Sequence, residues 1–162
     1  VVMRCGRGSR IVFDESGISR PLPAGNPLRI DWSAIPDDSI AYYSGHATIE
    51  TTVDVDERFE GCTLMLGDVR DVAHVFVNGT DCGIAWTAPY AVDITPALHR
   101  GRNKVRIVVV NTWHNALVGA DKGRAPFAGI WTNGRYRTKS DRLLPAGLLS
   151  PVEMKFWKYK DE

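Results

Sequence analysis

Hydrophobic and polar positions alternate through most of this chain with the period of two that a β-strand imposes, because successive side chains leave opposite faces of the pleated backbone. Ile49-Glu50-Thr51-Thr52-Val53-Asp54-Val55 places apolar residues at 49, 53 and 55, the pattern of a half-buried strand. Thr63-Leu64-Met65-Leu66 reads as a core strand, and Gly67-Asp68 turns the chain after it. Asn103 to Asn111 begins in strict alternation and ends in a run of valines, as a strand does when it passes from a sheet margin into a covered core. Val152 to Trp157 alternates again and reads as a closing strand.

Between these runs the turn residues set the order. Asn78-Gly79 tolerates the positive φ of a type I′ turn at both positions, so it predicts a hairpin pairing Ala73–Val77 with Thr80–Ala85. The hairpin projects Trp86-Thr87-Ala88-Pro89-Tyr90, an aromatic loop without charge, from one end. Ala91–Ile94 then returns as a strand, and Thr95-Pro96 predicts an N-cap and first-turn proline for a single turn of helix that Gly101 ends. Residues 112–150, rich in Gly, Asn and Arg, show no clear strand and are expected to form a functional loop or docking surface. Residues 1–29 are the least legible: Arg10–Phe13 fits an edge strand, and Ser19–Pro27, with three prolines, reads as a linker or surface loop. The expected division is an N-terminal segment over 1–29 and a β-sandwich domain over 30–162.

Composition changes this picture little. A length of 162 residues suits one domain able to bury roughly 70% of its unfolded surface without staples. No run approaches the roughly 18 apolar residues of a membrane span, so no membrane partner is expected, and Val1-Val2-Met3-Arg4 lacks a signal-peptide core. The missing initiator methionine points to a fragment of a longer polypeptide. Cys5, Cys62 and Cys82 are too few and scattered for a zinc site or a disulfide framework, and Cys62 and Cys82, in predicted strands, read as small buried hydrophobes. The net charge of +1 conceals 7 Lys and Arg against 13 Asp and Glu in residues 1–81, then 13 against 6 in 82–162. No nucleic-acid motif accompanies the basic half, and interleaved strands bring the two halves together, so no nucleic-acid partner is expected.

The segment carrying Val77-Asn78-Gly79, the aromatic loop, Asp93-Ile94-Thr95 and Gly101-Arg102-Asn103 resembles the sugar-binding domain of glycoside hydrolase family 2 and its relatives. A second likeness runs through Tyr42-Tyr43-Ser44-Gly45-His46-Ala47, Leu66-Gly67-Asp68-Val69, Ala88-Pro89-Tyr90, Asn111-Thr112-Trp113-His114-Asn115 and Ala146-Gly147-Leu148-Leu149-Ser150-Pro151-Val152. Over about residues 30–157 it resembles the C-terminal sandwich of rhamnosidase-like enzymes of family 106, departing at His46, Tyr90, Ala116, Ala146 and Ser150. The resemblance implies an all-β, antiparallel jelly-roll sandwich of the galactose-binding-like type. It further implies a parent glycoside hydrolase acting in the periplasm or outside the cell.

The chemistry legible in the residues is sparse. Glycoside hydrolysis needs two carboxylates about 5 to 9.5 Å apart, one with a raised pKa. Asp68, Asp71, Asp93 and Asp121 instead fall at turns, where Asx-turns and caps are the ordinary use of aspartate. No catalytic residue is assigned. His46, His74, His99 and His114 lack the spacing of a metal pair, and no nucleophile elbow, P-loop or dinucleotide fingerprint is present.

Sugar recognition asks for an aromatic face rimmed by amide or guanidinium groups. Trp86, Tyr90, Trp113 and Trp131 supply aromatics; Asn111, Asn115, Asn133 and Arg135 supply the rim, and His114, which follows the central strand and would emerge at a sandwich end, is a further candidate contact. The competing reading has Trp86 and Trp113 capping the core or burying against a neighbouring domain. No cofactor is expected beyond a calcium ion, which the fold resemblance brings in; Asp68 and Asp71 are its candidate ligands, fewer than a strong site uses. The expected role is a non-catalytic accessory domain that braces the catalytic domain of a parent enzyme and adds to carbohydrate binding. An independent lectin-like module is the alternative.

Overall fold

The computed structural model describes residues 1–123 and 142–158. In chain order its strands are β1 (Arg10–Phe13), β2 (Ile18–Pro21), β3 (Ile30–Asp31), β4 (His46–Val55), β5 (Gly61–Gly67), β6 (Val69–Arg70), β7 (Val72–Val77), β8 (Thr80–Ala85), β9 (Tyr90–Asp93), β10 (Gly101–Val110), β11 (Gly147–Leu148) and β12 (Glu153–Trp157). Two helices, α1 (Asp38–Ala41) and α2 (His114–Asp121), accompany them. A six-stranded sheet runs β2-β1-β4-β10-β7-β8, and two three-stranded sheets run β12-β5-β9 and β3-β11-β6, every pairing antiparallel. The chain is an all-β antiparallel sandwich.

Alternation explains the layers. On β10, Asn103, Val105, Ile107 and Val109 are buried while Arg102, Lys104 and Arg106 are exposed. In register with these inward positions, β4 supplies Ala47, Ile49 and Val53, and β7 supplies Ala73, Val75 and Val77. They meet Cys62, Leu64 and Leu66 of β5, Val92 of β9 and Met154 of β12 in one core cluster. Fully burying a side chain of this size contributes about 1.5–3 kcal/mol. Phe13, Trp32 and Tyr43 fill one end of the core with edge-on ring contacts, 5.0 to 6.2 Å between centroids.

The Asn78-Gly79 hairpin forms as expected, with φ of 50° and 81° at the two turn residues. The strand expected from Asn103 begins at Gly101 and pairs with β4 along its whole length. Three expectations give way. Thr95-Pro96 opens a turn rather than a helix: Asp93 caps the Thr95 amide at 2.9 Å, and the Thr95 hydroxyl faces β5, 2.9 Å from the Cys62 amide. Within the stretch read as strandless, residues 114–121 form α2. Its N-cap is Trp113, which makes no side-chain cap bond, so the start carries no sequence signal. Gly119 lets that helix approach Tyr42; a Cβ there would sit 2.7 Å from the ring. Residues 18–21, inside or beside the expected linker, form the edge strand β2, while Met3, Cys5, Ile11, Phe13 and Leu28 enter the common core.

Candidate functional site

The two aromatic segments singled out by the sequence emerge at the same end of the six-stranded sheet. Ala85 of β8 pairs with Ala73 of β7, which pairs with Val109 of β10, so the chain leaving β8 and the chain leaving β10 depart side by side. Trp86 and Trp113, the first aromatics beyond those strands, are 70% and 59% exposed. They do not cap this chain's own core. Ile84, 56% exposed, lies on the outer face opposite His74, and half-buried Val72, Val108 and Val110 continue the apolar strip inward.

The polar residues beside them are already engaged. Asn111 accepts from the Gly45 amide at 2.9 Å and donates to the Tyr43 carbonyl at 3.0 Å, tying β10 to the segment before β4. Asn115 is only 2% exposed; its amide donates to the Leu144 carbonyl at 2.9 Å and accepts from the Leu144 amide at 2.8 Å. His114 lies with Nε2 3.0 Å from the Arg142 carbonyl, and the Ala116 amide donates to the buried Ser44 hydroxyl at 3.0 Å. The rim amides expected for sugar hydroxyls, Asn111 and Asn115, are therefore backbone clamps. Trp131, Asn133 and Arg135 lie outside the described residues.

Tyr90 sits apart from this group. It is half-buried against the core and opens β9 rather than closing the loop. With Pro89 it lines a groove of about 360 Å³ whose other wall is Ser150, Pro151 and Glu153. Asp68 is held by Arg70 at 2.8 and 3.2 Å, and that hydrogen bond keeps its carboxyl below the usual range. Asp71 accepts from the Thr112 amide at 3.2 Å, so the two calcium candidates serve separate loops. Among the described residues, no group of three or more His, Cys, Asp or Glu is placed to hold a metal ion.

Sequence reasoning missed a cluster beneath the same sheet end. Glu15, in the β1–β2 turn, accepts from the Tyr43 hydroxyl and lies 2.6 Å from His46 Nδ1. Burial pushes the Glu15 carboxyl up, but bonds from Tyr43 and His46 outweigh it and hold the pKa low. Burial first, and then this carboxylate, push the Tyr43 phenol up. Among the described residues the carboxyls of Glu15, Asp37, Asp68, Asp81 and Asp93 are held below their ordinary range, the direction of a capping or paired carboxylate.

No family model matches the chain. The rhamnosidase from Novosphingobium sp. PP1Y is 32% identical, superposes with a TM-score of 0.80, and is matched over 95% of this chain but 15% of its own. A curated protein of Formosa agariphila that carries a beta-glucuronidase name is 29% identical over 160 residues, 80% of this chain and 14% of that protein. The FMN-binding beta-glucuronidase from Facaelibacterium prausnitzii L2-6, 17% identical with a TM-score of 0.59, shares the fold over 95% of this chain and 22% of its own. The chain thus spans about one seventh of the rhamnosidase and of the curated relative. It is similar to a minor, β-sandwich part of large glycoside hydrolases.

Proposed function

We propose that this chain is the accessory sandwich of a larger rhamnosidase-like glycoside hydrolase of family 106 type, galactose-binding-like in fold. It contributes no catalytic group of its own and braces the catalytic domain, in the periplasm or outside the cell. The observation that carries this reading is the likeness to the Novosphingobium rhamnosidase across 95% of this chain and only 15% of that protein. The apolar strip of Ile84, Trp86 and Trp113 supports it, because exposed aromatics clustered at one sheet end mark a surface that another body covers.

The test introduces Trp86→Asp and Trp113→Asp into the full-length parent and into this chain alone. The isolated chain should melt no lower than the wild type, since both side chains stand in solvent and an aspartate at the α2 N-cap is a favourable substitution. The parent should lose activity and unfold its catalytic part at lower temperature. A parent unchanged in both respects would overturn the bracing role. The same exposure favours a second reading, an independent glycan-binding module. A glycan array probed with this chain, giving binding that Trp113→Ala removes at unchanged melting temperature, would establish that reading.

A further inference from the structure

The opposite end of the same sheet face carries a cationic groove. Its volume is about 390 Å³, in the range of small-ligand sites. Arg7 forms one wall, Glu50 and Thr52 come from β4, Lys104 and Arg106 from β10, and Phe76 from β7. The wall is anchored rather than loose: the Gly6 amide donates to Thr51 Oγ1 at 3.2 Å, and the buried Ser9 hydroxyl lies 2.6 Å from that oxygen and donates to the Gly6 carbonyl at 2.7 Å. Gly6 permits this closeness, since a Cβ there would fall 2.1 Å from Thr52 Oγ1.

The groove's charges do not cancel. Three cations line it against one carboxylate, and that carboxylate, Glu50, is held by Arg10 at 2.8 Å. Among the described residues the side chains of Arg7 and Lys104 have no hydrogen-bond or ion-pair partner, and neither does the Thr52 hydroxyl. Arg106 lies over the Phe76 ring, 4.0 Å from its centroid, which holds the guanidinium stem in place with donors left over. In a chain whose net charge is +1, this is a local surplus of positive charge among the described residues.

We propose that this groove binds the charged group of an acidic saccharide, a carboxylate or a sulfate ester. The cations take the anion, and Thr52 and the apolar edge of Phe76 meet the sugar that carries it. The proposal rests on the carbohydrate-related reading above. The groove's volume of about 390 Å³ matches a single sugar unit, and the oligonucleotide arm of the test below measures the alternative of a nucleic-acid track.

The test is calorimetry of the 162-residue chain against a glucuronate-containing oligosaccharide, a sulfated galactose oligosaccharide, the neutral form of each, a single-stranded oligonucleotide and inorganic sulfate. One charged oligosaccharide should bind at least roughly tenfold more tightly than its neutral form, more weakly as salt rises. The uronate and sulfate arms identify which anion is taken. Arg7→Gln and Lys104→Gln should each weaken binding roughly tenfold at unchanged melting temperature, whereas Trp113→Ala should leave it intact. Equal affinity for charged and neutral sugars, unaltered binding in Lys104→Gln, no binding of either charged sugar, or tighter binding of the oligonucleotide or of bare sulfate would each overturn the groove assignment. Binding of neutral sugars that Trp113→Ala abolishes would overturn the groove while upholding the module reading. Silence toward every saccharide would sink both and leave the bracing role, which the parent enzyme tests separately.

Discussion

The two ends of the outer face of the six-stranded sheet solve opposite problems with the same kinds of residue. At the end where β10 finishes, the polar groups are spent inside the fold and the aromatics stand free. Asn111, Asn115 and Asp71 hold backbone, while Trp86 and Trp113 face solvent. Where β10 begins, the groove's aromatic is covered and its cations are unspent: Phe76 lies under a guanidinium, and the side chains of Arg7 and Lys104 have no hydrogen-bond or ion-pair partner among the described residues. The same inward-facing core supports both ends, so the contrast arises from the outward positions alone. Spent polar groups with free aromatics suit burial against another protein surface, and unspent cations around a walled groove suit a small anion.

The comparison predicts that substitutions cost most where a polar side chain holds backbone, and among the residues compared Asn115→Ala should show the largest effect. Its amide satisfies both the amide and the carbonyl of Leu144, and its removal leaves two backbone groups without those partners. A loss of about 1–3 kcal/mol is expected, read from urea denaturation midpoints at constant slope. A loss below about 0.5 kcal/mol would mean that water replaces the clamp, and the aromatic end would then be less fixed than its hydrogen bonds suggest.

A smaller effect, dependent on pH, is expected at Glu15. Its folded pKa lies below the ordinary value of 4.5, so the stabilisation it contributes is present above that value and fades as pH falls through the folded pKa. Melting temperatures of wild type and Glu15→Gln should therefore differ near neutrality and converge as the pH is taken well below 4.5. The carboxylate is partly exposed, which limits the gap through solvent screening. Parallel curves from pH 7 downward would show that Tyr43 and His46 hold the β1–β2 turn without the charge.

How much of this was legible in the sequence depended on the range of the interactions. The runs 49–55, 63–66, 73–77, 80–85 and 103–111 read as strands because period-two burial is written locally, and each overlaps an observed strand, as the Asn78-Gly79 turn matches its hairpin. Helix 114–121 was hidden because no side chain caps its start and its packing relies on Gly119 meeting Tyr42, far away in sequence. At the site, the exposure of Trp86 and Trp113 fits the alternative in which they meet a partner. Asn111 and Asn115 hold distant backbone, which sequence does not show, since an amide in that role looks like one that faces a ligand. The cationic row at 102, 104 and 106 was present as alternation, yet the groove needs Arg7, brought there through Gly6 and Thr51.

The smallest expected effects lie at the cationic end and separate the roles of two neighbouring cations. Arg106 covers an aromatic ring, a contact worth about 0.5–1 kcal/mol at an exposed site, so Arg106→Gln should lower stability by about that much. The Lys104 side chain has no hydrogen-bond or ion-pair partner among the described residues, so Lys104→Gln, which keeps its backbone bonds to Asn78, should fall within about 0.5 kcal/mol of wild type in the same denaturation series. Removing an unneutralised charge also relieves its repulsion from Arg106 and Arg7, which makes a slight gain the expected sign at low ionic strength, fading as salt is added. A clear loss in Lys104→Gln would assign that side chain to the fold, and the contrast between spent and unspent polar ends would collapse at the residue on which it most depends.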